Sequence, residues 1–377
     1  MNRATIAVVG ATALVVVGAI SLDRAFEAID LDTLALLFGM MVLNANLRIA
    51  GFFDATAALM ARHATSPRRL LALVVAFAGA LSALFLNDTI VIVFTPLVIE
   101  VARAAGLHPV PFLVAVATAA NVGSVATIVG NPQNMLIGVA SGIPFTRFLA
   151  VLAPVAASGL VIVWATVAVV YRGSLAARPI GGATVTAPRL HRPLLRKSLG
   201  AAAVLLAALL AGAPPSLAAM AAAALLLVTR RLKPDRVFQE IDWALLVFFA
   251  GLFVVTAAAG ATGFTDRVVG PIAGAAGGGT AGFAIAAAVL SNLVSNVPAV
   301  MLLSPVVAAL GDPEHAWLTL AMATTLAGNL TLLGSVANLI VAESAARRGV
   351  TLGFVEYLKA GVPITVLSIA LGVLWLS

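Results

Sequence analysis

The chain has 377 residues, 62% of them hydrophobic and only 10% charged, with 22 Lys and Arg against 15 Asp and Glu for a net charge of +7. A soluble globular chain carries about 25% charged residues, so a water-facing surface cannot be made from this composition and the solvent must be lipid. The absence of Cys excludes disulfides, thiolate metal sites, iron–sulfur clusters and cysteine nucleophiles, and basic residues confined to short loops without interleaved aromatics exclude a nucleic-acid surface.

Crossing a hydrocarbon core of about 30 Å takes about 20 apolar residues. The first such run, 4–22, has only Arg3 before it. It lacks a good small-x-small cleavage site, so it is expected to be a retained span and not a signal peptide. A second span follows at 31–48. The stretch 70–104 is long and apolar but is interrupted at Asn87-Asp88-Thr89. Spans are expected at 109–140 and 147–171, then at 196–212, 215–231 and 242–260. Gly270, Gly274 and Gly278 read as an outer loop. The stretch 280–310 breaks at Ser295-Asn296-Val297-Pro298, and spans at 315–343 and 361–376 complete the chain. The expected fold class is therefore an all-α polytopic membrane protein of about nine full spans plus two re-entrant hairpins. A non-helical tip at membrane depth is tolerated only where protein or a water-filled cavity covers it.

Charge placement supports the hairpins. If both return to the side they entered from and the N-terminus is cytoplasmic, every Lys and Arg falls on the cytoplasmic side except Arg24, Arg147 and Arg267. The basic residues within 172–377, Arg178, Arg189, Arg230, Arg231 and Lys233 among them, obey this as well as those before them. The C-terminus is then external. Drawing either hairpin as a full crossing destroys the asymmetry.

Residues 172–197 carry six basic residues and no acid. They divide the chain into a first transmembrane repeat (1–171), a basic cytoplasmic linker (172–197) and a second repeat (198–377). The repeats are visible in the residues. Ile29-Asp30, Gly39, Gly51-Phe52 and Asp54 recur 212 positions later as Ile241-Asp242, Gly251, Gly263-Phe264 and Asp266. Ser82, Asn87 and Pro96 recur 209 later as Ser291, Asn296 and Pro305, and Thr127, Gly130 and Asn134 recur 204 later as Thr331, Gly334 and Asn338. An odd number of crossings separates the copies, so the second is inverted. Interrupted helices in inverted repeats are the architecture of many secondary transporters, with sites near the bilayer midplane.

Each tip is followed by a second polar interruption in an apolar helix. The first half places Asn121, Gly123, Ser124, Thr127, Gly130, Asn131 and Asn134 there, and the second places Asn329, Thr331, Gly334 and Asn338. Gly and Pro break the helix. Half-helix N-termini then favour an anionic or polar oxygen ligand, while unwound carbonyls and Asn or Thr oxygens suit Na⁺. With Asn87, Asp88, Thr89, Ser295, Asn296, Val297 and Pro298 at the tips, these residues form the expected substrate and ion site. Asp88 is the one carboxylate expected deep in the membrane. Its bland role is to cap the half-helix beyond the tip, and its functional role is proton or ion coupling. Glu343, Asp32 and Asp54 read as interfacial. His63, His108, His191 and His315 read as loop residues without metal-ligand spacing. No P-loop, Gly-x-Ser-x-Gly or His-Glu-x-x-His occurs, so no enzyme, metal site or cofactor is expected beyond a bound Na⁺ or a transported H⁺.

The runs Ala120–Asn134 and Gly328–Asn338, with the tips Asn87-Asp88-Thr89 and Ser295-Asn296-Val297, are similar to the signatures of the ion transporter superfamily. Nearly the whole chain resembles its arsenite-permease and NhaD-type branch with a citrate-transporter-like domain. The resemblance implies secondary active transport of a small inorganic or organic anion or metalloid oxyacid across a bacterial cytoplasmic membrane. It implies a proton or sodium gradient as the driving force, membrane lipid as a partner and a homodimer as a common assembly. A cation/proton antiporter is the alternative, and a passive anion channel a third possibility. Asn131 stands where many relatives of that branch carry an acid, which weakens the antiporter and leaves Asp88 as the chief acidic candidate.

Overall fold

The computed structural model describes residues 2–176, 190–228, 234–263, 279–308 and 310–377. Outside the described residues lie Arg178, Arg189, Arg230, Arg231, Lys233, Arg267, the repeat partners Phe264 and Asp266, the glycines Gly270, Gly274 and Gly278, and the middle of the basic linker. All elements among the described residues are helices. In chain order they begin with α1 (Arg3–Val16), α2 (Leu22–Glu27), α3 (Leu31–Ile49), α4 (Phe52–His63), α5 (Pro67–Leu84), α6 (Asn87–Ala104), α7 (Val110–Ser124), α8 (Pro132–Ser141) and α9 (Phe145–Val170). The second half supplies α10 (Arg192–Leu210), α11 (Pro215–Leu227), α12 (Pro234–Phe238), α13 (Trp243–Ala261), α14 (Gly279–Val294), α15 (Asn296–Ala308), α16 (Pro313–Ala327), α17 (Val336–Ala346) and α18 (Phe354–Leu376).

Six of these, α3, α5, α9, α10, α13 and α18, are long and apolar enough to cross a membrane by themselves. The expected crossings at 109–140 and 315–343 are each built from two half-helices, α7 with α8 and α16 with α17. Several expected boundaries move. The first span stops at Val16, because Gly18 turns left-handed (φ 75) and Ser21 caps a new short helix. The last span starts at Phe354 and not at 361, since Glu356 and Lys359 pair at 2.5 Å across one helical turn and are accommodated within the helix. Helix α10 already begins at Arg192, with the His191 ring accepting from Leu194 N–H at 3.2 Å, so the last residues of the expected linker are helical. His63 likewise ends α4, and His315 sits in the first turn of α16 with its ring 3.1 Å from Thr280 Oγ1.

The duplication is physical as well as textual. Asp30 caps α3 by accepting from Asp32 and Thr33 N–H, and Asp242 caps α13 by accepting from Leu245 N–H. Gly51 and Gly263 both take left-handed φ at the ends of these helices, where a Cβ is strained. The packing then crosses over: α1 of the first half lies on α13 of the second, and α11 of the second lies on α3 of the first. A Cβ on Gly39 would stand 2.7 Å from the Ala219 backbone, and one on Gly251 would stand 2.9 Å from that of Ala7. Both members of each contact are related by the same shift of 212. Reciprocal contacts of this kind are the signature of a two-fold axis, here an internal one.

Burial sorts the helices into layers. Every residue of α7 is buried, as are twelve consecutive residues of α16 from Ala316 to Ala327. By contrast α13 and α18 turn apolar side chains such as Trp243 and Leu374 outward, as lipid-facing helices do. Around α7 and α16 pack the hairpins α5/α6 and α14/α15, together with α9 and α18. Arg147 at the start of α9 reaches Glu314 at the start of α16 at 2.8 Å, and Arg103 on α6 donates to the Arg348 carbonyl at 2.7 Å. Both contacts tie the first half of the chain to the second.

Candidate functional site

The tips sit slightly apart from where the sequence places them. In the first hairpin the chain reverses at Phe85-Leu86, and Asn87-Asp88-Thr89 already forms the first turn of the returning helix α6. In the second the reversal is Ser295 alone, the one non-glycine residue with positive φ (80) among those described, and Asn296 opens α15. Leu86 occupies the cap position of α6 without a side-chain bond, and Asn87 Oδ1 accepts from Asp88 N–H at 2.9 Å. The Asp88 carboxylate therefore does not cap the helix.

Each tip is fastened to the neighbouring helix break. Asn87 N–H donates to the Gly130 carbonyl at 3.0 Å, and Thr127 Oγ1 donates to the Ala83 carbonyl at 2.5 Å. On the other side Ser291 Oγ donates to Asn296 Oδ1 at 2.6 Å, and Asn292 Nδ2 donates to the Ala327 carbonyl at 3.0 Å. Gly123 meets α5 back to back: a Cβ there would lie 2.1 Å from the Gly79 carbonyl oxygen. Overpacking of this degree costs about 1–3 kcal/mol. Gly123→Ala is accordingly expected to lower the Tm by several degrees and to shift the first tip, while Gly200→Ala, inside helix α10 with open space around it, should hold or slightly raise the Tm in the same melting series.

The two breaks are stitched to each other by amides. Asn134 Nδ2 donates to the Ser124 and Thr127 carbonyls at 3.0 Å each. Asn338 Nδ2 does the same to Gly328 and Thr331 at 2.8 and 3.1 Å. Across the internal axis Asn121 Nδ2 donates to Asn338 Oδ1 at 3.1 Å, while Thr325 Oγ1 donates to Asn134 Oδ1 at 3.3 Å. Ser335 Oγ donates to Asn121 Oδ1 at 3.1 Å, and Asn131 Nδ2 to Thr325 Oγ1 at 3.4 Å. Asn121 departs from the symmetry by also donating to Asn329 Oδ1 at 2.9 Å and accepting from Asn87 Nδ2 at 3.2 Å. Its two donors and two acceptor lone pairs are then all used. Asn131 and Ser335 cap α8 and α17, accepting from Asn134 N–H at 2.8 Å and Ala337 N–H at 3.3 Å.

Beside this lattice lies a cavity of about 310 Å³. The N-terminal turns of four half-helices border it, through Asn87 and Asp88, Pro132 and Gln133, Asn296 and Val297, and Val336. Their partial positive ends favour oxygen-rich ligands. Of the site residues expected from sequence, Asn87, Asp88, Ser295, Asn296 and Val297 face this cavity, and Thr89 faces a smaller one next to it. The structure brings Asn121, Ser124, Asn131, Asn134, Asn329 and Asn338 together behind the cavity, bonded to one another and to the backbone. Gly123, Thr127, Gly130, Thr331, Gly334 and Pro298 are not in the lining. Among the lining residues outside the expected site are Gln133, Arg3 at the start of α1, Asp242 at the start of α13 and Phe249. Asp242 left a trace as a member of the repeated Ile-Asp pair, and Gln133 as part of the run Ala120–Asn134.

Two fastened hairpins, two interrupted helices and a polar cavity between them, within an apolar inverted duplication, define a multi-pass membrane transporter. The chain belongs to the citrate transporter family, whose model matches residues 1–327. An uncharacterized transporter of Mycobacterium tuberculosis is 33% identical, over all of this chain and 93% of its own length. The silicon efflux transporter LSI3 of rice is 31% identical over 99% of this chain and 92% of its own. In fold the protein is similar to the YdaH transporter of Alcanivorax borkumensis, with a TM-score of 0.64 at 18% identity over 92% of this chain and 83% of that one. It is also similar to MtrF of Neisseria gonorrhoeae, with a TM-score of 0.58 at 12% identity over 97% and 83%. These are transporters and not enzymes.

Proposed function

We propose that the protein is a secondary active transporter of a small, uncharged oxyacid of the metalloid-hydroxide type, coupled to a proton or sodium gradient through Asp88 in a bacterial cytoplasmic membrane. The charge of the cavity carries this reading. Two carboxylates, Asp88 and Asp242, face a single guanidinium, Arg3, and the remaining polar lining is amide and hydroxyl, from Asn87, Gln133, Asn296 and Ser295. A fully ionised tricarboxylate would have to enter against this excess of negative charge, where two like charges about 4 Å apart repel by about 4 kcal/mol at an effective dielectric of 20. An undissociated oxyacid brings only hydroxyls, which amides both donate to and accept from. The relatedness to a silicon efflux transporter supports the same class. The basic loops favour a cytoplasmic N-terminus, and in that orientation the mouth of the cavity beside Arg3 and Asp242 faces the cytoplasm.

Scanning fluorimetry of the purified protein tests the substrate class. Silicic acid, arsenite and antimonite at neutral pH are expected to raise the Tm in a saturable way, and citrate, succinate and sulfate are not. Stabilisation by citrate alone would overturn the reading in favour of a carboxylate carrier. Saturable uptake into proteoliposomes that exceeds equilibration when a gradient is imposed separates a carrier from a passive channel.

A further inference from the structure

The hydrogen bonds behind the large cavity can be followed proton by proton from fixed points. A backbone carbonyl only accepts, and the orientation of an amide is decided by such neighbours. The Ser124 and Thr127 carbonyls hold the NH₂ edge of Asn134 at 3.0 Å each, which leaves Asn134 Oδ1 on the far edge as an acceptor. The Thr325 hydroxyl, 3.3 Å away, therefore gives its single proton to that oxygen. Only lone pairs remain on Thr325 Oγ1, so the Asn131 and Gln133 amides beside it, at 3.4 and 3.3 Å, both turn N–H towards it. Gln133 is thereby held with Nε2 inward. The residue is 6% exposed and lines the cavity, and its Oε1 takes no hydrogen bond from any described residue. The part of Gln133 offered to the cavity is a carbonyl oxygen.

A matching chain starts in the other helix break. The Gly328 and Thr331 carbonyls hold Asn338 Nδ2, Asn338 Oδ1 accepts from Asn121 Nδ2, and Asn121 Oδ1 accepts from Asn87 Nδ2. Asn121 and Thr325 stand 204 residues apart, as Asn134 and Asn338 do, so the two chains are copies that end at unlike residues. One ends at Asn87, whose Oδ1 already accepts from Asp88 N–H at 2.9 Å. The other ends at Gln133, whose oxygen is unused. The residue 204 positions beyond Gln133 is Ala337, so the duplication supplies this acceptor once.

We propose that Gln133 determines solute specificity, with Thr325 as the positioning residue that fixes its amide: Oε1 accepts a hydrogen bond from a solute hydroxyl, which an undissociated oxyacid supplies and an oxygen without a proton cannot. This role rests on the substrate class proposed above and names the group that reads it. A glutamine free to turn would meet a proton-less oxygen with N–H as readily as a hydroxyl with C=O. The lock removes that choice. A site with a fixed polar partner rejects analogues that lack the matching group far more strongly than an apolar pocket does, because the partner is left unpaired. The carboxylates of Asp88 and Asp242 in the same lining are acceptors too, so selection by charge and selection by proton act in one direction.

The test is arsenite binding at neutral pH, where the solute is the undissociated acid, read by scanning fluorimetry of the purified protein. Gln133→Met, which keeps the length of the side chain and removes the acceptor, should weaken apparent affinity by about tenfold. Gln133→Glu loses the same bond to Thr325 but keeps an oxygen at the cavity, and should bind arsenite like the wild type. Thr325→Val should weaken binding in the same direction as Gln133→Met, and Thr325→Ser, which keeps the hydroxyl, should hold the wild-type value. This second pair carries the test if Gln133→Met does not fold. Equal affinity in Gln133→Met and the wild type would overturn the role. So would an equal loss in Gln133→Met and Gln133→Glu, which would reduce Gln133 to its structural bond with Thr325. A wild type that responds to neither arsenite nor silicic acid sinks the substrate class, and this role with it. A wild type that responds while Gln133→Met responds as strongly sinks the role alone.

Discussion

Asp88→Asn is expected to abolish gradient-driven solute accumulation in proteoliposomes, leaving only equilibration, as an intramembrane carboxylate retained for coupling demands. The fold should survive. Asp88 is the second residue of α6, makes no capping bond and lies in the wall between two cavities. Its loss removes only a favourable helix-dipole contact of about 0.3–1 kcal/mol, so the Tm should move little. Downhill exchange of solute should persist, because the amide and hydroxyl lining that would bind it is untouched. Accumulation at the wild-type rate in the folded variant would remove Asp88 from coupling.

The largest effect on stability is expected at Asn121. Asn121→Ala leaves Asn87 Nδ2, Ser335 Oγ, Asn329 Oδ1 and Asn338 Oδ1 each without a bond they make in the wild type. These groups come from the first tip, the second break and α17, so one substitution loosens three elements. Hydrogen bonds between membrane helices average about 0.6 kcal/mol. Buried groups left unpaired cost more, about 1–3 kcal/mol each, and do not add linearly. A total loss of about 2–4 kcal/mol is expected, read as a fall in the midpoint of detergent or thermal unfolding. Combining it with Asn338→Ala should give a coupling energy above about 0.5 kcal/mol, since the two amides bond directly at 3.1 Å. Strict additivity would show that the bond contributes nothing. Because Ser335 caps α17 and also bonds Asn121, the same variant should weaken solute binding by misaiming that helix end at the cavity.

Much of this protein is written in the sequence, because the signals are local or periodic. A charged content of 10% and long apolar runs specify a membrane bundle, and polar clusters inside those runs mark where helices must stop. Asn131-Pro132 and Ser335 locate the restarts of α8 and α17, since an Asn or Ser cap starts a helix wherever it stands and Pro132 reinforces the first. The offsets of 212, 209 and 204 reveal the duplication without any coordinates. Tip positions were displaced by a residue or two, because the polar residues open the returning helices and the reversals themselves are Phe85-Leu86 and Ser295. Only the tertiary structure decided which asparagines face the cavity and which hold the frame. Asn87 and Asn296 look like Asn121 and Asn338 in a sequence, and their separation depends on partners some 200 residues away. Arg3 and Asp242 at the cavity were likewise beyond reach. They arrive there because α1 packs on α13 of the opposite repeat through Ala7 and Gly251, and which distant helix fits a small-residue face is settled by three-dimensional packing, not by local pattern.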